Sequence, residues 1–211
     1  VLLAIDTSAG TSVAVVDRDR GVIAERSTAD TMRHAEIIGD GIREALDEAG
    51  VTPRDLSGVV AGMGPGPFTG LRVGIAAARV FALGCGKPLL PLVSHDAVAF
   101  GHYRSGGAGE LLVVTDARRR ELFWSAYSGC DPAGLPVRID GPGLAKPAAL
   151  DDAAFPHVAR KRLDAHTVSA GDLGMLAELG HLAGRPFAAN EPLYLRSPDV
   201  TVSAGPKRVG Q

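Results

Sequence analysis

Leu2-Leu3-Ala4-Ile5-Asp6 stands near the start of the chain, and Leu111-Leu112-Val113-Val114-Thr115-Asp116 restates it past the midpoint. Each is an apolar run of strand length that closes on an aspartate, at positions 6 and 116 of 211. Around the first run the pattern reads strand at 11–16, strand near 22–26, then a change to helical spacing over 35–49, stopped by Gly50. A buried strand at 56–61, an alanine-rich helix over 69–83 with Thr69 at its N-cap, and a strand at 89–93 follow. Ser94 reads as the N-cap of a third helix reaching about residue 100. After the linker Ser105-Gly106-Gly107-Ala108-Gly109 the second run leads into strands at 122–127 and 137–140 and helices at 147–154 and 172–183. The expected architecture is therefore two lobes, each a strand meander followed by helices. The expected divisions are 1–104, 110–191 and a Pro-containing tail at 192–211, which leaves the second lobe short.

Composition narrows the function. Lys plus Arg number 22 and Asp plus Glu 24, a formal net charge of −2, which argues against a protein gripping nucleic acid mainly by itself. Aromatics at 5% give few platforms for stacking single-stranded bases. With 27 glycines and 14 prolines the chain is below low-complexity composition, so the glycines mark particular places. Cys85 and Cys130 form no CxxC pair and read as reduced thiols. The run before Asp6 is short for a signal peptide, and no uninterrupted apolar stretch approaches ~18 residues, so a soluble cytoplasmic protein without membrane contact is expected.

Three constellations are candidates for chemistry. Gly62-Met63-Gly64-Pro65-Gly66-Pro67-Phe68-Thr69-Gly70-Leu71-Arg72 leaves a strand and opens a helix, where backbone amides meet an anion or a tight Gly-Pro turn simply forms. Its spacing is neither the dinucleotide fingerprint nor a P-loop. Asp6 and Asp116, if a pseudo-two-fold axis brings them to one cleft, with Thr7, Ser8, Thr11 and Ser12 nearby, would position a magnesium nucleotide; the alternative is an Asx turn at each. Arg118-Arg119-Arg120 lies on a strand-to-strand turn beside Asp116, either solvated or touching RNA or a partner, while Arg160-Lys161-Arg162 is a second basic cluster. The six histidines form no zinc spacing and are assigned surface or capping roles. Small residues in the two first-lobe helices permit close helix approach, within the chain or across an interface.

The order Leu3-Ala4-Ile5-Asp6-Thr7-Ser8, Thr11-Ser12-Val13-Ala14, His34-Ala35-Glu36, the Gly64–Gly74 block, Asp116-Ala117-Arg118-Arg119 and Pro192-Leu193-Tyr194-Leu195-Arg196 resembles the bacterial TsaB (YeaZ) family over essentially the whole chain. Pro67 stands where that family usually carries serine. The resemblance implies an α/β, actin-like/Hsp70-like ATPase fold of two ribonuclease-H-like lobes with the second reduced. It implies a part in making N6-threonylcarbamoyladenosine in tRNA as a noncatalytic scaffold. Such a subunit pairs with the TsaD transferase, helps recruit the ATPase TsaE, meets tRNA through the complex, and in the family also forms homodimers. It places the partner interface at Ile38, Ile42, Arg72, Ile75 and Arg79, and a vestigial nucleotide cleft at Asp6, Thr7, Ser8, Gly64, Gly66 and Asp116.

TsaD carries a His-x-x-x-His metal pair on the helix after the last first-lobe strand, and here that segment is Val93-Ser94-His95-Asp96-Ala97-Val98-Ala99. The first histidine is present and the second is Ala99, and one imidazole does not hold such a metal. The implied state is no catalytic residue, no metal and no required cofactor, with ATP or ADP and magnesium left as an option at the complex interface. The rival reading is a stand-alone magnesium-nucleotide ATPase or small-molecule kinase of the same fold, with Ala170-Gly171-Asp172 as the remnant of an adenosine pocket. A weaker rival is a metal-dependent peptidase.

Overall fold

The computed structural model describes residues 1–153 and 161–196. The end of the helix expected at 147–154, Arg160 of the second basic cluster and most of the tail lie outside them. The first sheet is built from β1 (Leu2–Asp6), β2 (Thr11–Asp17), β3 (Gly21–Thr28), β4 (Gly58–Gly62) and β5 (Leu89–Leu92). Its order is β3-β2-β1-β4-β5, with β1 antiparallel to β2, and β1, β4 and β5 parallel. The parallel pairs need crossovers, which α1 (His34–Ala49) and α2 (Phe68–Cys85) supply. α3 (Ser94–Arg104) then leads to β6 (Leu111–Asp116), β7 (Leu122–Cys130), β8 (Pro136–Ala145), α4 (Leu150–Ala153), β9 (Arg162–Asp164) and α5 (Ala170–Leu182). The second sheet runs β8-β7-β6-β9 with β6 and β9 parallel, repeating the first sheet's order without a fifth strand among the described residues. This is the ribonuclease-H-like order twice over, so the fold is actin-like α/β with a reduced second lobe.

Period-two alternation distributes β1 between two cores. Leu3 and Ile5 pack with Ile38, Ile42 and Ile75 of α1 and α2, whereas Leu2 and Ala4 pack with Phe100 of α3 and Leu173 and Leu176 of α5. A strand covered on both faces reads as a continuous apolar run. α5 therefore returns from the second half of the sequence to the back of the first sheet. Its N-terminal amides meet an internal anion: Gly171 N donates to Glu25 Oε1 at 3.3 Å, and Ala170 N donates to Ser12 Oγ, which in turn donates to Glu25.

Two helix starts differ from expectation. Pro67 and Val93 occupy the N-cap positions, so Thr69 and Ser94 lie within the helices. Ser94 is drawn inward because its hydroxyl bonds Asp6 rather than its own helix. Strand β1 ends in a turn that glycines clasp from above. A Cβ on Gly62 would fall inside the Asp6 carboxylate, one on Gly66 would lie 2.7 Å from Ser8 Cα, and one on Gly70 2.7 Å from the Thr7 carbonyl. A Cβ on Gly74 would overlap the Thr7 hydroxyl, which accepts from Gly74 N at 3.1 Å and donates to Gly70 O at 2.7 Å.

The two lobes are joined by the first turn of α3. Ser94 reaches Asp6, His95 reaches the second sheet with Nδ1 2.8 Å from Ser125 Oγ and Nε2 2.9 Å from Thr115 Oγ1, and Asp96 accepts from the Tyr127 hydroxyl at 2.8 Å. His95 is fully buried, and a neutral imidazole with one donor and one acceptor nitrogen satisfies both hydroxyls. Burial, helped by the Arg138 charge, pushes its pKa down to about 3.

Two outcomes are expected. Gly74→Ala destabilises the fold by about 2–3 kcal/mol in urea unfolding, because backbone and Thr7 must separate, whereas Gly84→Ala in the same helix, with open space around it, is neutral or stabilising by up to ~1 kcal/mol. His95 stays neutral when folded and is protonated below its ordinary pKa of about 6.5 when unfolded, so its stabilisation is present above that pH and lost as pH falls towards 3. From pH 7 to pH 5 the native chain therefore loses about 2 kcal/mol more stability than His95→Gln. Equal pH dependence of the two proteins would disprove the assignment.

Candidate functional site

The strand-end aspartates adopt the same local turn and then part company. Ser8 N donates to Asp6 Oδ1 at 2.8 Å, and Arg118 N donates to Asp116 Oδ1 at 2.9 Å, an Asx turn in each lobe. Asp6 is sealed inside the first lobe, where Oδ1 also accepts from Ser8 Oγ at 2.6 Å and Oδ2 from Ser94 Oγ at 2.5 Å. Burial raises its pKa against the lowering effect of these bonds. Asp116 is exposed and lies 3.9 Å from the Arg118 guanidinium. Asp6 thus faces a buried hydroxyl network while Asp116 faces solvent. Of the expected nucleotide residues, Ser8 and Asp116 line a common interlobe cavity of about 340 Å³, with Arg118 and His166.

The glycine loop is closed over its own chain. Gly64 N donates to Ser94 Oγ at 3.0 Å, and Gly64 holds a φ of +93°. Its amide is therefore spent on the Asp6 network through Ser94, and the Gly74 amide is spent on the Thr7 hydroxyl. The start of α5, expected as an adenosine remnant at Ala170-Gly171-Asp172, is filled by Glu25, and Asp172 pairs with Arg104 at 2.6 Å.

Nor are the histidines all at the surface, as expected. His95 is enclosed between the lobes, and His34 is buried with Nδ1 2.7 Å from Thr11 Oγ1, its pKa lowered mainly by burial. Ala99, at the position of a second metal-holding histidine, is buried against Tyr103, Leu111 and Val113. Among the described residues no three His, Cys, Asp or Glu side chains come together as a metal site.

The interface residues divide in a way the sequence did not reveal. Ile38, Ile42 and Ile75 are buried in the first lobe's own core, and Ile42 also lines a groove at its surface. Arg72 is exposed, with its guanidinium 4.9 Å from the Phe68 ring centroid, and Arg79 donates to Asn190 Oδ1 and to the Asn190 carbonyl, each at 2.8 Å from Nη2. The residues that do face outward are Val80 and Leu83, 69% and 83% exposed, together with Met32 ahead of α1. α2 carries two apolar stripes at helical spacing. Leu71, Ile75, Ala78 and Ala82 face inward, Val73 and Ala77 are half-buried against the same core, and Val80 and Leu83 carry the second stripe outward. That second stripe was the available signal. Beside it runs an apolar groove of about 470 Å³ between α1 and α2, lined by Ile42, Leu46, Val51 and Phe81.

Comparison with known proteins fits this geometry. The TsaD family, tRNA N6-adenosine threonylcarbamoyltransferase, matches residues 11–166. An uncharacterized protein of Mycobacterium tuberculosis is 38% identical over 209 residues, 94% of this chain and 92% of the relative. The tRNA threonylcarbamoyladenosine biosynthesis protein TsaB of Escherichia coli is 31% identical over 126 residues, which is 60% of this chain and 54% of that protein. The structure of YeaZ from Pseudomonas aeruginosa superposes with a TM-score of 0.76 at 25% identity, over 92% of this chain and 99% of that one. With a duplicated ribonuclease-H-like topology, a TsaD-family match across most of its length and TsaB and YeaZ proteins among its relatives, the chain belongs to the TsaB (YeaZ) family.

Proposed function

We propose that this chain serves N6-threonylcarbamoyladenosine synthesis in tRNA as a noncatalytic scaffold that pairs with a TsaD-type transferase and helps recruit a TsaE-type ATPase. The observation that carries this reading is the state of His95. Both of its ring nitrogens are engaged by Thr115 and Ser125, and the partner position on the helix is Ala99. A ligand histidine needs a free nitrogen and companions, and this one has neither. The fold of the transferase family is retained while its metal-holding chemistry is absent from the described residues.

The outer stripe of α2 supports the pairing. Val80 and Leu83 are large apolar side chains left in water beside an apolar groove, a combination that favours a protein partner. α2 is apolar enough along its length, with a mean hydropathy of 1.4, to resemble a membrane span, but its inner face packs on β1 and β4, so the unpaired apolar surface is the outer one. The same face serves a homodimer when the transferase is absent. The chain needs no cofactor of its own in this reading, and any ATP or ADP with magnesium belongs to the assembled interface. The sealed Asp6 and the filled start of α5 weigh against a stand-alone kinase or ATPase.

Two measurements test this. Val80→Glu combined with Leu83→Glu abolishes co-elution with the transferase while leaving the circular dichroism of the chain unchanged, whereas Ile75→Glu unfolds it, because a charge would enter a site only 2% exposed. Reconstitution with each subunit omitted gives no threonylcarbamoyl transfer from this chain alone and transfer when the TsaD-type enzyme is added. Transfer to tRNA by the isolated chain would refute the scaffold.

A further inference from the structure

A cleft lies between the start of α2, the β6–β7 turn and the chain after α5. Its volume is about 350 Å³, with Phe68, Phe123 and Tyr194 as aromatic walls and Arg118, Arg119 and Arg196 as charged ones. Arg72 lies on the Phe68 ring beside it, and Arg120 follows on the same turn. Near these five arginines are Asp116, 3.9 Å from Arg118, and Glu121, 3.5 Å from Arg196, and Arg119 has a partner of its own, while among the described residues no carboxylate lines the cleft except at its edge. The patch is cationic although the chain as a whole carries −2.

The cleft is built from both lobes. Leu193 N donates to the Met63 carbonyl at 2.8 Å, which fixes the strap bearing Tyr194 on the glycine loop. The Tyr194 and Phe68 ring centroids are 4.8 Å apart at 43°. Arg196 Nη1 donates to the Ala117 carbonyl at 3.2 Å and so ties the strap to the second lobe. Arg118, Arg119 and Arg120 hold φ of 65°, 52° and 60°, three successive side-chain-bearing residues in a conformation that usually falls to glycine. Such clustered strain accompanies functional turns.

We propose that this cleft seats single-stranded RNA, with one base stacked at the Phe68–Tyr194 edge and the flanking phosphates on Arg118 and Arg119. Arginine forks match phosphate oxygens, and every base offers a face to an aromatic ring without a sequence code. The choice of RNA as the polyanion rests on the tRNA reading above. α2 carries both Arg72 at the cleft and Val80 and Leu83 on the outer stripe, so RNA held chiefly by the docked partner meets this cleft at the edge of the complex. A local site of this kind agrees with the near-neutral charge, because it adds contacts to a grip made elsewhere.

The test is fluorescence anisotropy of a labelled anticodon stem-loop RNA with the full chain, alone and with its transferase partner, over a salt series. Arg118→Glu with Arg119→Glu is expected to weaken binding roughly tenfold or more and to lower the salt slope by about 1.4, the share of two single-strand phosphates. Tyr194→Ala is expected to weaken binding about fivefold with the slope unchanged. Leu83→Glu keeps RNA binding by the chain alone, so loss of transferase capture in that variant bears on the scaffold reading and not on this one. Unchanged affinity in both cleft variants overturns the proposal, as does saturable binding of AMP in the cleft without binding of RNA.

Discussion

The structure turns on how closely α2 approaches the end of β1. Gly62, Gly66, Gly70 and Gly74 present no side chain to the Asp6-Thr7-Ser8 turn, and any Cβ there would occupy space already held by that turn. The contact also closes a polar account. Asp6, Thr7, Ser8 and Ser94 are buried and bonded to one another or to the amides and carbonyls of the loop and helix. Leaving any one of them unpaired costs about 1–3 kcal/mol, so the arrangement holds as a set. α2 is thereby fixed against β1 and β4, and its second apolar stripe is left facing outward.

Duplication supplied two copies of one strand-end turn, and burial separated their fates. In the first lobe the glycine loop covers Asp6 and turns it into a structural acid. In the second, the segment after β9, Ala165-His166-Thr167-Val168-Ser169, carries no glycine, and Asp116 opens to the solvent beside three arginines. Among the described residues the second sheet stops at β9, one strand short of the first. The lobes are pinned at α3, where three consecutive residues bond strands of both sheets: Ser94 to β1, His95 to β6 and β7, Asp96 to β7. His95 thus serves here to hold two sheets together. The strap from Ala188 to Arg196 adds a second link, with Ala188 N on the Pro91 carbonyl of the edge strand β5 and Arg196 on the β6–β7 turn.

Much of this was legible from local pattern. The strands, the helical stretches, the half-chain echo and the glycine-proline block follow from periodicity and turn chemistry, which act between near neighbours. The misreadings share a cause. Ile75 and Val80 are equally apolar and both lie at helical spacing, and periodicity identifies two stripes without saying which one meets the sheet. Ser94 and Thr69 look like caps by residue type, but the cap role went elsewhere because Ser94 had a buried carboxylate to bond. His95 carries no local sign that Thr115 and Ser125, from another sheet, converge on it.

The sequence by itself determined the two-lobe α/β plan, the shortened second lobe, the family resemblance and the lack of a second histidine at Ala99. Only the tertiary structure decided which acid is sealed and which is open, which stripe of α2 faces outward, that α5 crosses to the first sheet, and that a cationic aromatic cleft forms from three separated segments. Those outcomes depend on burial and on bonds between residues far apart in the chain, and the free energy of a buried carboxylate or an exposed leucine is set by what surrounds it, which residue order alone does not fix.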